Sequence, residues 1–300
     1  MKLAAIDIGS NAVRLQVTQV HYFRGQYTFK KLEYLRFPLR LGMDVFLRKE
    51  ISQENKTKFK ELMTAFKILL NLYGVDHYMA CATSAMRESE NGKEIVKEVR
   101  SQLGLKIRII DGNTEAALIN KSLRNHIDHK TYLHIDVGGG STELNVFKKG
   151  GKVATRSFKI GSVRTLDRAL PEPILRQIRN FISTHLSLEK TVIGIGTGGN
   201  INKIFELAGI QKRAGFLDVQ KIRETLLLLE SHSSEERINL LHLNEDRADV
   251  IIPATKIYLV ALDAAKIQKI KVPDLGLKDG MLLDLFEKNR GKETTFSAFK

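Results

Sequence analysis

Two segments of the sequence are so alike that they predict two copies of one structural unit. Residues 5–17 read AIDIGSNAVRLQV, and residues 134–146 read HIDVGGGSTELNV. In each segment an apolar run reaches an aspartate, Asp7 or Asp136, a glycine-containing turn follows, and an alternating strand comes next. A strand–turn–strand of this kind can hold a phosphate in its turn. Two copies therefore predict two similar half-domains that face each other across one phosphate site.

The order of the predicted elements repeats along the chain and supports this duplication. Each half shows three strands, a helix, a further strand, a threonine-containing loop and another helix. The polar stretch of residues 125–130 separates the halves. We therefore expect a first domain of residues 1–124 and a second domain of residues 125–280.

Local patterns also predict individual elements. After residue 215 the pattern indicates helices, one from about Arg247 to Lys269 and a last one from Met281 to Lys288. The alternation of residues 13–17 predicts a half-exposed strand. Asn113 or Thr114 is expected to cap the helix that follows.

The net charge favours a polyanionic partner without fixing its identity. The 300 residues include 48 Lys and Arg against 34 Asp and Glu, a net charge of +14. Such a field attracts nucleic acid, acidic lipid or polyphosphate, although many soluble proteins are simply basic. Nucleic acid is not favoured, because there is no Trp and no aromatic stacking motif.

Cysteine content and hydropathy predict a cytoplasmic protein. The single cysteine, Cys81, excludes an intrachain disulfide and disfavours a cysteine-based zinc site. No run of about 18 apolar residues occurs, so no membrane span is expected. Asp7 and Gly9 stand where a secretory leader would need a long apolar stretch.

The two glycine turns are candidates for binding phosphate. Glycine lets the backbone approach an oxyanion, and successive N–H groups form an anion-binding nest. A carboxylate cannot bind phosphate without a cation, so Asp7 and Asp136 imply Mg²⁺ or a positioned water. The alternative interpretation is that both are ordinary structural turns. Two such turns in matching register favour a functional role instead. The candidate phosphate-binding residues here are Gly9, Ser10, Asn11, Gly138, Gly139, Gly140 and Ser141.

A second pair of loops predicts further phosphate contacts. GIGTGG, residues 194–199, fits G-x-G-x-x-G and taken alone indicates a dinucleotide fold. That interpretation is disfavoured, because the motif lies two-thirds along the chain and has a counterpart, ATSAMR, at residues 82–87. Arg87 could equally be a surface residue. The candidates in these loops are Ser84, Arg87, Thr197, Gly198, Gly199 and Asn200.

Two glutamates form a third candidate feature. Glu143 matches Arg14 in the duplicated segment, so the two halves have separate roles. Glu115 lies in the first turn of a helix, and on this evidence alone it is typical of a residue that complements the helix dipole.

Taken together, the motifs resemble those of the exopolyphosphatase / guanosine pentaphosphate phosphohydrolase family. The resemblance extends from residue 3 to about residue 285, in the family's order. It rests on AIDIGSNAVRL, ATSAMRES, IIDGNTEAALI, IDVGGGSTEL, IGTGGNINKI, DRADVIIPA and LGLKDGML.

The resemblance implies an α/β protein with two ribonuclease H-like domains of the actin-like ATPase superfamily and an active site in the cleft between them. In such proteins the last helix, here about residues 281–300, often packs back on the first domain. It implies hydrolysis of the terminal phosphoanhydride of inorganic polyphosphate, and in some members of pppGpp to ppGpp. Mg²⁺, or Mn²⁺ in its place, is the implied metal, with Asp7, Asp136 and Glu143 placing it. Members are often dimers.

The resemblance also revises one role. It implies that Glu115 acts on the attacking water and that Asp136 and Glu143 are functional. The sequence departs from the family pattern at GNTEA, where two acidic residues are missing, at Ala12 and at Lys278. By this resemblance we expect a short form, without the helical HD-type domain that longer members append. Because GNTEA lacks two acidic residues, a second hypothesis is a sensor that binds ppGpp or polyphosphate with negligible turnover. An ATP-dependent kinase of the same superfamily is a weaker alternative.

Overall fold

The computed structural model describes residues 1–209 and 215–290, which form two compact units. The first unit contains Met1–Asn125 together with the segment that begins at Gly276, and the second contains His126–Leu275. Each unit is built around one mixed sheet with helices, which confirms the α/β class. No helix in the described ranges is both long and apolar enough to cross a membrane.

The first unit contains a five-stranded sheet. Its elements up to residue 123 are β1 (Lys2–Ile8), β2 (Val13–Phe23), β3 (Gln26–Phe37), α1 (Leu41–Arg48), α2 (Gln53–Leu72), β4 (His77–Ala82), α3 (Ser84–Glu88), α4 (Gly92–Leu103), β5 (Ile107–Ile109) and α5 (Gly112–Leu123). The strand order is β3-β2-β1-β4-β5, with β1–β3 antiparallel and β4 and β5 parallel to β1. This is the order of a ribonuclease H-like domain.

The second unit repeats this plan and extends it. Its elements are β6 (Tyr132–Val137), β7 (Thr142–Lys148), β8 (Gly151–Phe158), α6 (Glu172–Leu186), β9 (Ile193–Thr197), α7 (Gly199–Leu207), β10 (Phe216–Asp218), α8 (Val219–Glu230), α9 (Ser234–Asn239), α10 (Glu245–Ala248), α11 (Ile251–Ala264) and β11 (Lys269–Lys271). The strand order is β10-β11-β9-β6-β7-β8. The three antiparallel strands and the parallel β9 correspond to β1–β4 of the first unit.

Helix α12 (Leu277–Asn289) belongs to the first unit, where it packs on α5 and β1. Gly280 lies so close to the carbonyl of Leu118 that a Cβ at this position would clash with it. Lys121 Nζ contacts both Asp284 and Glu287 at 2.6 Å. The close approach and the ion pairs together fix α12 against α5.

The structure corrects three of the sequence-based helix boundaries. The predicted helix from Arg247 to Lys269 is two helices, α10 and α11, followed by a strand, β11. Helix α12 begins at Leu277 rather than Met281, because the Asp279 carboxylate accepts a hydrogen bond from the backbone N–H of Gly276 at 2.8 Å and so caps an earlier turn. The N-terminal cap of α5 is Asp111, not Asn113 or Thr114.

Burial and loop structure also differ from the predictions. Strand β2 is not half-exposed, because Gln16 and Thr18 are buried along with their apolar neighbours. The segment after β4 is a short helix, α3, rather than a loop. Strand β9 continues through Thr197, which leaves Gly198 alone between the strand and α7.

Candidate functional site

The predicted site residues fall in both units. The first unit holds Asp7, Gly9, Ser10, Asn11, Ser84, Arg87 and Glu115. The second unit holds Asp136, Gly138, Gly139, Gly140, Ser141, Glu143, Thr197, Gly198, Gly199 and Asn200.

The two glycine turns have the same backbone structure. The N–H of Gly9 donates to the carbonyl of Ala12 at 3.1 Å, and the N–H of Gly138 donates to the carbonyl of Ser141 at 2.9 Å. The strand pairs that close the turns also correspond, with Ile8 opposite Val13 and Val137 opposite Thr142. The predicted duplication is therefore confirmed at the level of strand register and turn hydrogen bonds.

A glycine from a later segment packs against each turn. The N–H of Gly42 donates to the carbonyl of Ser10 at 2.8 Å. A Cβ at Gly161 would lie 2.6 Å from the carbonyl oxygen of Gly139, so only glycine fits there. The segment after Gly161 binds the second turn further, since the N–H of Ser162 donates to the carbonyl of Gly138 at 3.0 Å. Each turn is thus held by the chain that leaves the third strand of its hairpin unit.

In the first unit, the aspartate beside the turn is paired with an arginine. Asp7 is 7% exposed, and its Oδ2 lies 2.9 Å from Nη1 of Arg14, the residue directly opposite on β2. The guanidinium offsets a carboxylate that would otherwise be buried without a counter-charge.

A serine pair joins the first turn to the beginning of α3. The Oγ atoms of Ser10 and Ser84 lie 2.8 Å apart in a buried contact. The N–H of Thr83 donates to the carbonyl of Ile8 at 3.0 Å. These contacts place Ser10 and Ser84, two predicted phosphate-binding residues, side by side.

Arg87 contacts the segment that leads into α5, and Glu115 lies in the first turn of that helix. Arg87 Nη1 donates to the carbonyl of Ile110 at 2.6 Å, one residue before the Asp111 cap. Hydrogen bonds from Thr114, aided by the nearby charge of Arg87, lower the pKa of the Asp111 carboxyl. Glu115 lies in the first turn, its N–H donates to the carbonyl of Asp111 at 3.0 Å, and its Oε2 is shielded from solvent. Arg87 is therefore held by the segment that carries Glu115 rather than lying loose on the surface.

In the second unit, polar side chains form two rows across one face of the sheet. The register aligns Thr197, Asp136, Glu143 and Ser157 in one row and His134, Asn145 and Thr155 in the next. Because side chains alternate across a strand, both rows share a face, and Leu133, Ile135 and Val137 point to the apolar core on the other. The first row contains two buried carboxylates, those of Asp136 and Glu143, and Ser157 Oγ donates to Glu143 at 2.7 Å.

The second row is a directed chain of hydrogen bonds that ends at Thr197. Thr155 donates to Asn145 Oδ1 at 2.6 Å, and Asn145 Nδ2 contacts His134 Nδ1 at 2.9 Å. Because an amide N–H can only donate, Nδ1 is the acceptor and the proton of this imidazole is on Nε2, which donates to Thr197 Oγ1 at 2.8 Å. Complete burial lowers the pKa of His134 to about 3, consistent with a neutral ring.

Gly198, the single residue between β9 and α7, lies against Asp136. Gly198 has φ +93°, and a Cβ there would be 2.8 Å from Asp136 Oδ1. Asn200 Nδ2 donates weakly within the unit, to the carbonyl of Val137 at 3.5 Å and to Ser162 Oγ at 3.4 Å. The close approach of Asp136 therefore requires glycine at position 198.

Two arginines that were not predicted as site residues contact the glycine segments, that is, the turn of residues 138–141 and Gly198–Gly199. Arg164 Nε donates to the carbonyl of Gly140 at 2.6 Å, and Arg247 Nη1 donates to the carbonyl of Gly199. Arg247 lies within DRADVIIPA, one of the motifs of the family resemblance, so this motif could have identified it as a candidate site residue. Arg164 follows Gly161, which ends SFKIG, and Gly42 ends the similar PLRLG in the first half.

The carboxylates of the second unit fit a magnesium ion better than Asp7 does. Among the described residues, no group of three or more His, Cys, Asp or Glu side chains is arranged to hold a metal. Mg²⁺, however, commonly takes only one or two protein carboxylates and fills its shell with water and substrate phosphate. Asp136 and Glu143 lie directly opposite each other and provide such oxygens, whereas Asp7 is already bound by Arg14.

A family model matches most of this chain. Residues 20–289 match the model of the Ppx/GppA phosphatase family. Exopolyphosphatase 1 of Mycobacterium tuberculosis is 23% identical over 304 residues, which cover 94% of this chain and 88% of that protein. A bifunctional 3-dehydroquinate synthase/phosphatase of Fusobacterium nucleatum is 31% identical over 171 residues, but these cover 55% of this chain and only 26% of that larger protein.

A solved structure gives the same result for the fold. The exopolyphosphatase of Cytophaga hutchinsonii aligns with a TM-score of 0.83 at 21% identity and covers 97% of this chain and 99% of its own. At this identity the similarity establishes the fold alone.

Proposed function

This chain belongs to the Ppx/GppA phosphatase family, and we propose that it hydrolyses the terminal phosphoanhydride bond of inorganic polyphosphate and releases phosphate. The observation that carries the proposal is the pair of matched glycine turns, each closed by the same hydrogen bond and each preceded by a buried aspartate. Relatives of nearly full-length coverage that are named exopolyphosphatases support this choice of substrate.

In this proposal the glycine segments bind the phosphoryl group through backbone N–H groups. Phosphoryl transfer needs little covalent help from the protein, and positioning and charge stabilisation supply most of the rate. The hydroxyls of Ser10 and Ser141 lie on these segments, the Ser84 hydroxyl lies 2.8 Å from that of Ser10, and all three add donors. Arg164, which is held at the carbonyl of Gly140, and Arg87, which lies on the same helix as Ser84, contribute positive charge.

Glu115 is the proposed general base. It accepts a proton from a water whose oxygen attacks the terminal phosphorus, and the anhydride P–O bond on the opposite side breaks. The products are orthophosphate and a polyphosphate that is shorter by one unit. A buried carboxylate oxygen at the start of α5 suits this role, because the carboxylate can accept the proton in a site with little competing water.

Asp136 and Glu143 are the residues that we propose to hold the metal. When bound, Mg²⁺, or Mn²⁺ in its place, neutralises charge on the phosphoryl oxygens. The buried pair of carboxylates provides hard oxygen donors, and the Ser157 hydrogen bond orients one of them. Asp7 acts instead by fixing the guanidinium of Arg14 beside the first turn.

The proposal extends to pppGpp, whose terminal anhydride presents the same chemistry. The test is phosphate release with Mg²⁺ from long polyphosphate and from pppGpp in parallel, with Glu115→Gln as the control. Release from either substrate that is lost in Glu115→Gln supports a hydrolase that uses this glutamate. Tight binding of both without release from either would instead identify a sensor, the alternative raised by the altered GNTEA motif.

A further inference from the structure

Strands β6 and β9 separate at the point where two of the glycine segments begin. Their last paired residues are Asp136 and Thr197. Beyond this pair the chain enters the turn of residues 138–141 on one side and Gly198 on the other. The spacing between the two glycine segments is therefore set at the end of this strand pair.

One buried hydroxyl bridges the strands at this point. The Tyr258 hydroxyl accepts a hydrogen bond from the N–H of Val137 at 3.3 Å and donates one to the carbonyl of Thr197 at 2.7 Å. Tyr258 lies on α11 in the apolar core of the unit and is completely buried. A single oxygen atom thus joins both strands where their own pairing stops, and it satisfies two buried backbone groups.

His134 holds the same residue from the other face of the sheet. Its Nε2 donates to Thr197 Oγ1 at 2.8 Å, and Asn145 and Thr155 fix the ring behind it. Thr197 is therefore bound through its carbonyl from the apolar face and through its hydroxyl from the polar face. Neither Tyr258 nor His134 belongs to the proposed phosphate-binding set.

We propose that Tyr258 and His134 are positioning residues that fix Thr197 and so set the distance between the turn of residues 138–141 and Gly198–Gly199. The inference rests on the proposed function, in which both segments bind the reacting phosphate. A displacement of about 1 Å in a group that positions the reacting atoms can slow turnover by about 10²-fold. These two residues therefore act on the rate through Thr197 without contacting the substrate.

The first test compares two tyrosines that each lose one oxygen atom. Tyr258→Phe removes the bridge, whereas Tyr132→Phe removes the hydroxyl of another fully buried tyrosine, which lies at the opposite end of β6 and donates to Asp128 at 2.9 Å. With polyphosphate as substrate, at a temperature where both variants are folded, Tyr258→Phe is expected to lower kcat about tenfold or more with little change in KM. Tyr132→Phe is expected to stay within about twofold of the unchanged protein.

A second pair of variants tests the contact between His134 and Thr197. This test remains valid even if Tyr258→Phe folds poorly. The amide nitrogen of Gln can reach approximately the place of the histidine Nε2, whereas the shorter Asn cannot. His134→Gln is therefore expected to retain kcat, and His134→Asn is expected to lose it. Equal kcat in the two His134 variants, or a Tyr258→Phe kcat that matches that of Tyr132→Phe, would overturn the inference.

Hydrogen–deuterium exchange separates this inference from the proposed function. Tyr258→Phe should speed amide exchange in residues 137–141 and 197–200, and Tyr132→Phe should leave both segments unchanged. If the unchanged protein releases no phosphate, the proposed function fails, but the exchange result still decides the positioning role. Unchanged exchange in both segments of Tyr258→Phe would contradict that role.

Discussion

The guanidinium of Arg14 lies 2.9 Å from the carboxylate of Asp7, and this ion pair marks the main difference between two otherwise matched hairpins. In the second unit the same two positions hold Asp136 and Glu143, which are both acidic. The first turn therefore carries its own counter-charge. The second places two carboxylates side by side, an arrangement that a cation can neutralise.

Loss of the Arg14 guanidinium should destabilise the protein. Arg14→Gln leaves the Asp7 carboxylate buried without its charged partner, and we expect the free energy of unfolding to fall by about 1–3 kcal/mol. Urea unfolding measures this change. Lys58→Gln is the control, because its pair with Glu54 lies on an exposed helix surface and should contribute about 0.5 kcal/mol or less. Equal effects of the two substitutions would show that the Asp7 pair is not structurally important.

Replacement of Glu115 should stop turnover without weakening the fold. Glu115→Gln keeps the shape of the side chain but removes the proton acceptor, so kcat for phosphate release should fall by about 10²–10⁴-fold while substrate still binds. Glu94→Gln is the matched control, since Glu94 also lies in the first turn of a helix, α4. Turnover at the unchanged rate in Glu115→Gln would remove this residue from the mechanism.

The Mg²⁺ requirement of phosphate release should depend on the carboxylate pair of the second unit, Asp136 and Glu143. Chelation with EDTA should abolish phosphate release, and added Mg²⁺ should restore it. Asp136→Asn should raise the Mg²⁺ concentration needed for half-maximal activity, because an oxygen donor loses its charge. Asp76→Asn is a control on an exposed carboxylate of the first unit that contacts the N–H of Lys2. An identical Mg²⁺ requirement in both variants would argue against Asp136 as a ligand.

Glycine at position 198 should be essential for a local reason. Gly198→Ala forces a non-glycine residue to φ +93° and brings its Cβ to 2.8 Å from Asp136 Oδ1, so it should lower both stability and phosphate release. Gly104→Ala shares the positive φ, +66°, but meets no atom within 4 Å. It should cost only about 1 kcal/mol of stability and leave release intact. If release is as high in Gly198→Ala as in Gly104→Ala, the close approach to Asp136 has no role in activity.

Acid should destabilise the protein partly through His134. Burial lowers the pKa of this imidazole from 6.5 to about 3, so between these values the unfolded chain binds a proton that the folded chain does not. The stability contributed by the neutral ring is therefore present above pH 6.5 and is lost as the pH falls toward 3, by about 1.4 kcal/mol per pH unit. His134→Gln should flatten the dependence of unfolding free energy on pH in this range. An unchanged slope would mean that the ring is protonated in the folded state.

The sequence predicted the features that depend on local pattern. The two hairpins, their register and the glycine turns follow from short-range alternation and turn chemistry, and Leu15 opposite Ile6 corresponds to Leu144 opposite Ile135. Ser52 is a polar residue directly before the amphipathic helix α2, and its hydroxyl accepts a hydrogen bond from the N–H of Asn55 as its cap.

Features that depend on distant segments were not accessible in this way. Tyr258 and Thr197 are 61 residues apart, and their hydrogen bond depends on how α11 packs on the sheet. Residues 13–17 alternate between apolar and polar, which predicts that Gln16 is exposed. Gln16 is nevertheless buried, because both faces of the sheet are covered by other elements. The three-residue strand β11 lies at the end of a long helical pattern, and pairing with β9 and β10 decides its conformation.

The most direct test of the central claim is the chain-length distribution of long polyphosphate during incubation with the protein and Mg²⁺. Removal of terminal phosphates should produce orthophosphate from the first time points, with the remaining chains shortening and no pool of intermediate fragments cut from within. Glu115→Gln should leave the distribution unchanged. Absence of orthophosphate with the unchanged protein, or the early appearance of mid-length fragments, would contradict terminal hydrolysis of polyphosphate.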